Sequence, residues 1–204
     1  AADLALTSAA QTALAIRLAA AFDQAFEHDG HHAVARVLTP AARVFTLKSA
    51  IPVAAEARDL IGPAAMSRHH PAARAAADLP VLDQWDGSAN EAALELVALV
   101  SRDRNVLATA LQELAGDLGS QNADLIDRTL ALGREAETDP GLARAFADQL
   151  AMVGAASAMR RNLPRVVADA FVSARLRGGY AAQYATLDIR FDAAAIVEFT
   201  VPED

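Results

Sequence analysis

Cysteine is absent from the 204-residue chain, which excludes disulfides, thiolate metal sites and a cysteine nucleophile. That absence fits a reducing compartment, and the cytoplasm is the expected location. Aromatic residues make up only 5% of the sequence, with one tryptophan and two tyrosines. Little is therefore available to build aromatic and β-branched sheet surfaces, while the 53% hydrophobic fraction is dominated by alanine. Alanine is the best helix former, so close-packed helices are expected rather than sheet. Basic residues are in deficit, 18 against 26 acidic, giving a net charge of −8. This balance argues against a generally nucleic-acid-binding surface. No Ser/His/Asp set and no phosphate-cradling glycine loop is visible.

A long run of large aliphatic residues is also missing. Residues 4–22 carry a single charge, Arg17, but also Thr7, Ser8, Gln11 and Thr12, and their apolarity is mostly alanine. A bilayer span needs about 20 predominantly apolar residues, so a buried helix with no membrane partner is expected here. Asp3 stands where a signal peptide would carry basic residues. The chain opens inside a helical pattern without a cap or a starting methionine, which gives the expectation of a piece of a larger protein.

Leu14, Leu18, Phe22 and Phe26 recur at i+4 spacing and predict one apolar face on a first helix that ends at Asp29-Gly30. A second helical region covers 31–61, with a restart at Thr39-Pro40, a kink at Pro52 and a stop at Gly62-Pro63. Residues 63–88, with Pro63, Pro71 and Pro80, read as a long packed loop with short helical pieces. Ser88 and Glu91 have capping-box spacing and open a helix whose core face is Ala92, Ala93, Leu96, Val97, Leu99 and Val100. Further helices follow over 103–118 and 121–136, from Asp139-Pro140 with Phe146, Leu150 and Val153 inward, and from Asn162-Leu163-Pro164 to Gly178-Gly179. A tail carries Tyr180, Tyr184, Leu187 and Ile189, then a short apolar helix around 193–199. The expected class is all-α, an antiparallel helical bundle over 1–101 and a C-terminal helical extension over 102–204, with the boundary near Ser101-Arg102-Asp103.

Several short motifs are collinear. Leu38-Thr39-Pro40-Ala41-Ala42-Arg43 is followed by Lys48-Ser49-Ala50-Ile51-Pro52, Ala55-Glu56-Ala57, Ile61-Gly62 and then Trp85-Asp86-Gly87-Ser88-Ala89-Asn90. In this order they resemble the C-terminal helical domain of the acyl-CoA dehydrogenase superfamily, most of all its AidB-like (adaptive-response alkylation protein) branch. Val167-Ala168-Asp169-Ala170-Phe171 with Arg175-Leu176, and Ala194-Ala195-Ile196-Val197-Glu198, extend the resemblance over nearly the whole chain.

The resemblance implies an FAD-dependent oxidoreductase. In that family the carboxylate of a Glu-Gly box takes the α-proton of an acyl-CoA thioester while a hydride goes to FAD. A carboxylate in a dry pocket suits that role because desolvation raises its basicity. Here the base position is Asp86, one methylene shorter than glutamate. Trp85 falls at the ring-covering position, and Ser88 and Asn90 at cofactor-contacting positions. Read from the residues alone, Asp86 is an ordinary Asp-Gly turn residue before a helix. A second departure is Ile61-Gly62-Pro63-Ala64-Ala65-Met66, where the family commonly has a Gly-Gly-x-Gly-Tyr loop. The resemblance further implies partner flavin-binding domains, on the same chain or on another subunit, and a homo- or hetero-oligomer.

Arg160, Arg161, Arg165, Arg175 and Arg177 face only Asp169 in sequence, a local charge of +4 over 160–177. They read either as a phosphate patch for CoA or DNA, or as a solvated face near helix C-termini. The absence of interleaved aromatics and the overall negative charge disfavour a duplex. His28, His31, His32, His69 and His70 lack ligand spacing and are expected to be solvated loop residues, with no metal. Three readings stand at this point: a module of an acyl-CoA dehydrogenase-like enzyme, a catalytically inactive assembly subunit, and a DNA-associated alkylation-stress protein.

Overall fold

The computed structural model describes residues 1–85, 87–178 and 192–200. Among these residues the chain is all-α and has no strand. Its helices are α1 (Ala2–Gln24), α2 (Asp29–Ile61), α3 (Pro71–Trp85), α4 (Ala89–Arg102), α5 (Val106–Leu118), α6 (Ala123–Thr138), α7 (Ala143–Asn162), α8 (Arg165–Phe171) and α9 (Ala193–Thr200). A π-helical segment, Val172–Leu176, continues α8. Gly179, Tyr180, Tyr184, Leu187 and Ile189 lie outside the described residues.

Two helices organise the bundle. α2, with 33 residues and a length of about 50 Å, packs against α1, α3, α4, α5 and α7. α7 packs against α1, α2, α4, α5 and α6. Its inward positions include Ala147, Ala151, Gly154, Ala155 and Ala158, all buried, so neighbouring backbones approach closely and few aromatics are needed to fill space. The core runs continuously from Leu6 in α1 to Ile196 in α9. Phe146, Leu150 and Val153 are fully buried on α7, as their spacing predicts. The α4 face is likewise as expected: Ala92, Ala93, Leu96, Val97 and Val100 are buried and Leu99 packs against them.

The inward face of α1 differs from the expectation. Leu14 is buried, but Phe22 is 54% exposed and Phe26 fully exposed. A strict i+4 series drifts by about 40° per step in a 3.6-residue helix, so it leaves the core face within two or three turns. Leu6, Ala10, Ala13, Leu14, Arg17 and Ala21 hold that face instead, mixing steps of three and four. By length and composition α1 could cross a membrane. Its inward side nevertheless carries Asp3, Thr7 and Arg17, all buried and bonded to neighbouring helices.

Three further expectations are corrected. Asp29-Gly30 does not end α1; both residues sit in the first turn of α2. Thr39-Pro40 does not restart a helix. The Thr39 hydroxyl donates to the Ala35 carbonyl at 2.6 Å within a continuous α2, and Pro40 is itself buried in the packed face. Tertiary packing here outweighs the roughly 3 kcal/mol that an interior proline costs. Residues 71–85 are a full α-helix, not a loop. Pro71 opens α3 with its φ already fixed, and the alanine-rich run after it supplies helix propensity.

Candidate functional site

The turn between α3 and α4 is built and held from α2. Ser88 is the N-cap of α4: its hydroxyl oxygen accepts from the Glu91 N–H at 3.2 Å, and the Ser88 N–H donates to Glu91 Oε2 at 2.5 Å. This reciprocal box is the one the sequence spacing predicts. Gly87 has φ +85°, a conformation that only glycine adopts without strain. A Cβ there would also lie 2.6 Å from Glu91 Oε2. Arg43 of α2 donates to the Gly87 carbonyl at 2.5 Å. Replacing Ser88 with alanine is expected to cost about 1 kcal/mol, read as a lower urea midpoint with an unchanged m-value.

One and a half turns further along α2, Lys48 donates to Asp83 Oδ2 at 2.5 Å. Asp83 is only 4% exposed although it lies near the end of an otherwise exposed helix. The Lys48 hydrogen bond holds its carboxyl below the ordinary value against the opposing push of burial, and Gln84 and Arg144 add to the lowering. Asp83 Oδ1 is buried and has no partner. Sequence reasoning gave this pair no role, because its members are 35 residues apart and share no motif.

Trp85, Ser88 and Asn90 are brought to one turn. The Trp85 side chain is 80% exposed at the end of α3, and Asn90 is exposed in the first turn of α4. Asp86, the candidate base, lies outside the described residues. The turn thus offers an indole face, a hydroxyl hydrogen and a side-chain amide at the surface rather than inside an enclosed cavity.

The five candidate arginines do not act as one group. Arg160 bonds Asp169, and Arg161 lies 3.5 Å from Asp117 of α5. Arg175 pairs with buried Asp3 of α1 and donates to Thr7 at 3.2 Å. Arg177 grips the start of α6 through Asp124 at 2.8 Å, the Gln121 carbonyl at 3.2 Å and Asn122 Oδ1 at 3.1 Å. That contact holds the Asp124 carboxyl below its ordinary value. Arg165 is exposed, and no partner for it is present among the described residues. Sequence distance hid Asp3, Asp117 and Asp124 from the local charge count.

His31 also departs from a solvated loop. It sits in the first turn of α2 with 13% side-chain exposure. Arg17 Nη1 is 3.3 Å from its Nδ1, and Glu113 Oε1 lies 3.6 Å from its Nε2. Burial pulls the Arg17 guanidinium below its ordinary value, with Glu113 and Asp117 opposing. The cluster ties α1, α2 and α5 together.

Comparison with known proteins covers most of the chain. Residues 1–100 match the family model described as "Acyl-CoA dehydrogenase, C-terminal domain". The protein named "Putative acyl-CoA dehydrogenase AidB" from Escherichia coli (strain K12) is 30% identical over 184 residues. That alignment covers 86% of this chain and 33% of the relative, so the chain spans about a third of the length of the protein it matches.

Proposed function

Since this chain belongs to the acyl-CoA dehydrogenase superfamily, with its all-α C-terminal fold and a likeness to the AidB-like branch, we propose that it forms the helical wall of an FAD-dependent acyl-CoA oxidoreductase. The observation that supports this reading is the outward display of Trp85, Ser88 and Asn90 on a turn clamped by α2. Polar and aromatic groups presented in this way suit a site completed by a second domain. The flavin-binding domains stand on the same polypeptide or on a partner subunit, and the protein works as an oligomer in the cytoplasm.

The residues present fit a flavin. The exposed indole can cover a planar ring, and the Ser88 hydroxyl, which accepts from Glu91, keeps its hydrogen free to donate. Asn90 is exposed, and no hydrogen bond to its amide is present among the described residues. Bound there, FAD supplies the hydride acceptor. The chain itself does two things: Arg43 and the capping box fix the backbone of the turn, and Asp86 takes the α-proton of the thioester. Lys48 and Asp83 brace the end of α3 that leads into the turn. Closure by a second domain would remove water from Asp86 and raise its basicity.

The test is anaerobic titration of the full-length flavoprotein with acyl-CoA thioesters. Loss of the oxidised flavin absorbance is expected, and Asp86→Asn should abolish it while flavin content stays unchanged. Bleaching that survives Asp86→Asn removes Asp86 from the base role. Absence of both flavin and bleaching in the full-length protein favours the second reading, an assembly subunit without catalysis. The observation behind that alternative is the sequence Gly62-Pro63-Ala64-Ala65-Met66, where a proline removes an N–H and forms a 3₁₀ turn. A DNA-associated role finds less support, because four of the five candidate arginines are engaged by carboxylates.

A further inference from the structure

A cleft of about 370 Å³ opens between α4, α5 and α6, and none of the Trp85–Asn90 turn lines it. Its floor is apolar, formed by Val100, Leu107 and Leu130. Its rim carries Arg104 from the approach to α5, and Arg134, Glu137 and Thr138 from α6. The α5 and α6 walls are held at a fixed spacing by Gly133, where an added Cβ would lie 2.5 Å from Leu107 Cδ2 and 3.0 Å from Phe146. Arg134 follows directly on that contact.

Arg104 and Arg134 are among the surface arginines that no carboxylate engages, and what sets them apart is that both line one cleft. Acidic residues outnumber basic ones by 26 to 18, and Arg17, Arg36, Lys48, Arg160, Arg161, Arg175 and Arg177 all sit against carboxylates. Neither Arg104 nor Arg134 has a carboxylate within bonding distance among the described residues. Two guanidinium groups that line one cleft from different elements make it favourable to an anion. A guanidinium fork matches the two oxygens of a carboxylate and gives the stronger class of hydrogen bond. Glu137 on the same rim leaves a net charge of +1, which a monoanion neutralises and a dianion exceeds. The Thr138 hydroxyl already donates to the Glu135 carbonyl at 2.9 Å, so it offers no hydrogen to the ligand and leaves the head group to the arginines.

We infer that this cleft binds a small amphipathic monocarboxylate, with its carboxylate between Arg104 and Arg134 and its aliphatic body on the Val100, Leu107 and Leu130 floor. The volume is at the lower end of the range of small-molecule sites, about 300–1,000 Å³, which limits the ligand to a short or medium chain. The inference does not rest on the flavoprotein reading, since the cleft shares no residue with the turn.

Calorimetric titration of the full-length protein with octanoate, octanol, octyl phosphate and inorganic phosphate tests it. Saturable one-to-one binding of octanoate is expected, with octanol at least about tenfold weaker, because a hydrogen bond to a charged group contributes about 1.5–3 kcal/mol. Arg104→Ala and Arg134→Ala should each weaken octanoate by about ten- to hundredfold. Both side chains are exposed, and the circular dichroism unfolding curve should be unchanged. Arg134→Lys keeps the charge, loses the fork and should fall between wild type and Arg134→Ala. Equal binding of octanol and octanoate, tighter binding of octyl phosphate or inorganic phosphate, or octanoate binding indifferent to both alanine variants would each overturn the assignment. So would the absence of saturable octanoate binding.

Discussion

Lys48→Met is expected to lower stability by about 2–4 kcal/mol at neutral pH, toward the lower end of what breaking a fully buried ion pair costs. Asp83 is the reason. Its side chain is 6% exposed against 36% for Lys48, so the carboxylate and not the ammonium is the group cut off from water. Methionine keeps most of the apolar stem of lysine and removes the charge. What remains around Asp83 is one hydrogen bond from Gln84 Nε2 at 3.0 Å, with Oδ1 already unpartnered. Lys48 itself is 36% exposed, and water at that end of the pair keeps the figure below that of a deep pair.

The pH dependence separates charge from packing. In the wild type the Lys48 hydrogen bond holds the Asp83 carboxyl below its ordinary value. A depressed carboxylate stabilises the folded state above the ordinary value, and that contribution is lost as pH falls through the lowered one. In Lys48→Met the largest lowering cause is gone, and burial pushes the carboxyl up against only Gln84 and Arg144. The difference between the two proteins should therefore be widest at neutral pH and shrink in acid, where Asp83 is protonated in both. Urea unfolding at neutral pH and again below the ordinary aspartate value measures this. Asp83→Asn in the Lys48→Met background should recover part of the loss at neutral pH. A deficit that stays constant with pH would assign the effect to packing of the lysine stem instead.

The same pair shows what a sequence can and cannot disclose. Ser88 and Glu91 lie three residues apart, and the backbone geometry of a helix start makes their partnership a local matter; it is present as expected. The α4 and α7 core faces were legible for the same reason, since 3.6-residue periodicity is local. Lys48 and Asp83, Arg175 and Asp3, and Arg17 and Glu113 join positions 35 to 172 residues apart. Each depends on the final packing of helices, and no spacing rule announces it. Proline misled in a different way. Pro52 lies inside α2 as expected, but Pro40 and Pro80 also lie inside helices, because the packing of α2 and the propensity of alanine-rich α3 compensate for the lost hydrogen bonds. The positions of Trp85, Ser88 and Asn90 on one turn followed from their adjacency. The hold of Arg43 of α2 on the Gly87 carbonyl of that turn was not legible, since it joins positions 44 residues apart.

Phe146→Ala should be more damaging than Lys48→Met, at about 3–5 kcal/mol. The ring is fully buried on α7 and lies where a Cβ on Gly133 would come within 3.0 Å of Cε2. Its removal leaves a cavity between α6 and α7 that these helices, already in close contact, cannot collapse to fill. For a chain of this size each kcal/mol lowers the melting temperature by about 2–4 °C, so a fall of roughly 6–20 °C is expected by calorimetry. Gly133→Ala alone should also destabilise, by about 1–3 kcal/mol, because the new methyl group meets Phe146 on one side and Leu107 at 2.5 Å on the other. The two losses are not independent. In Gly133→Ala/Phe146→Ala the methyl group enters space the ring has vacated, so the double variant should be more stable than the sum of the single losses by about 0.5–3 kcal/mol. The repair is incomplete, since the Leu107 contact persists. Strict additivity would mean that α6 shifts away from α7 to admit the methyl group, and that the Gly133 contact does not set the spacing of the helices.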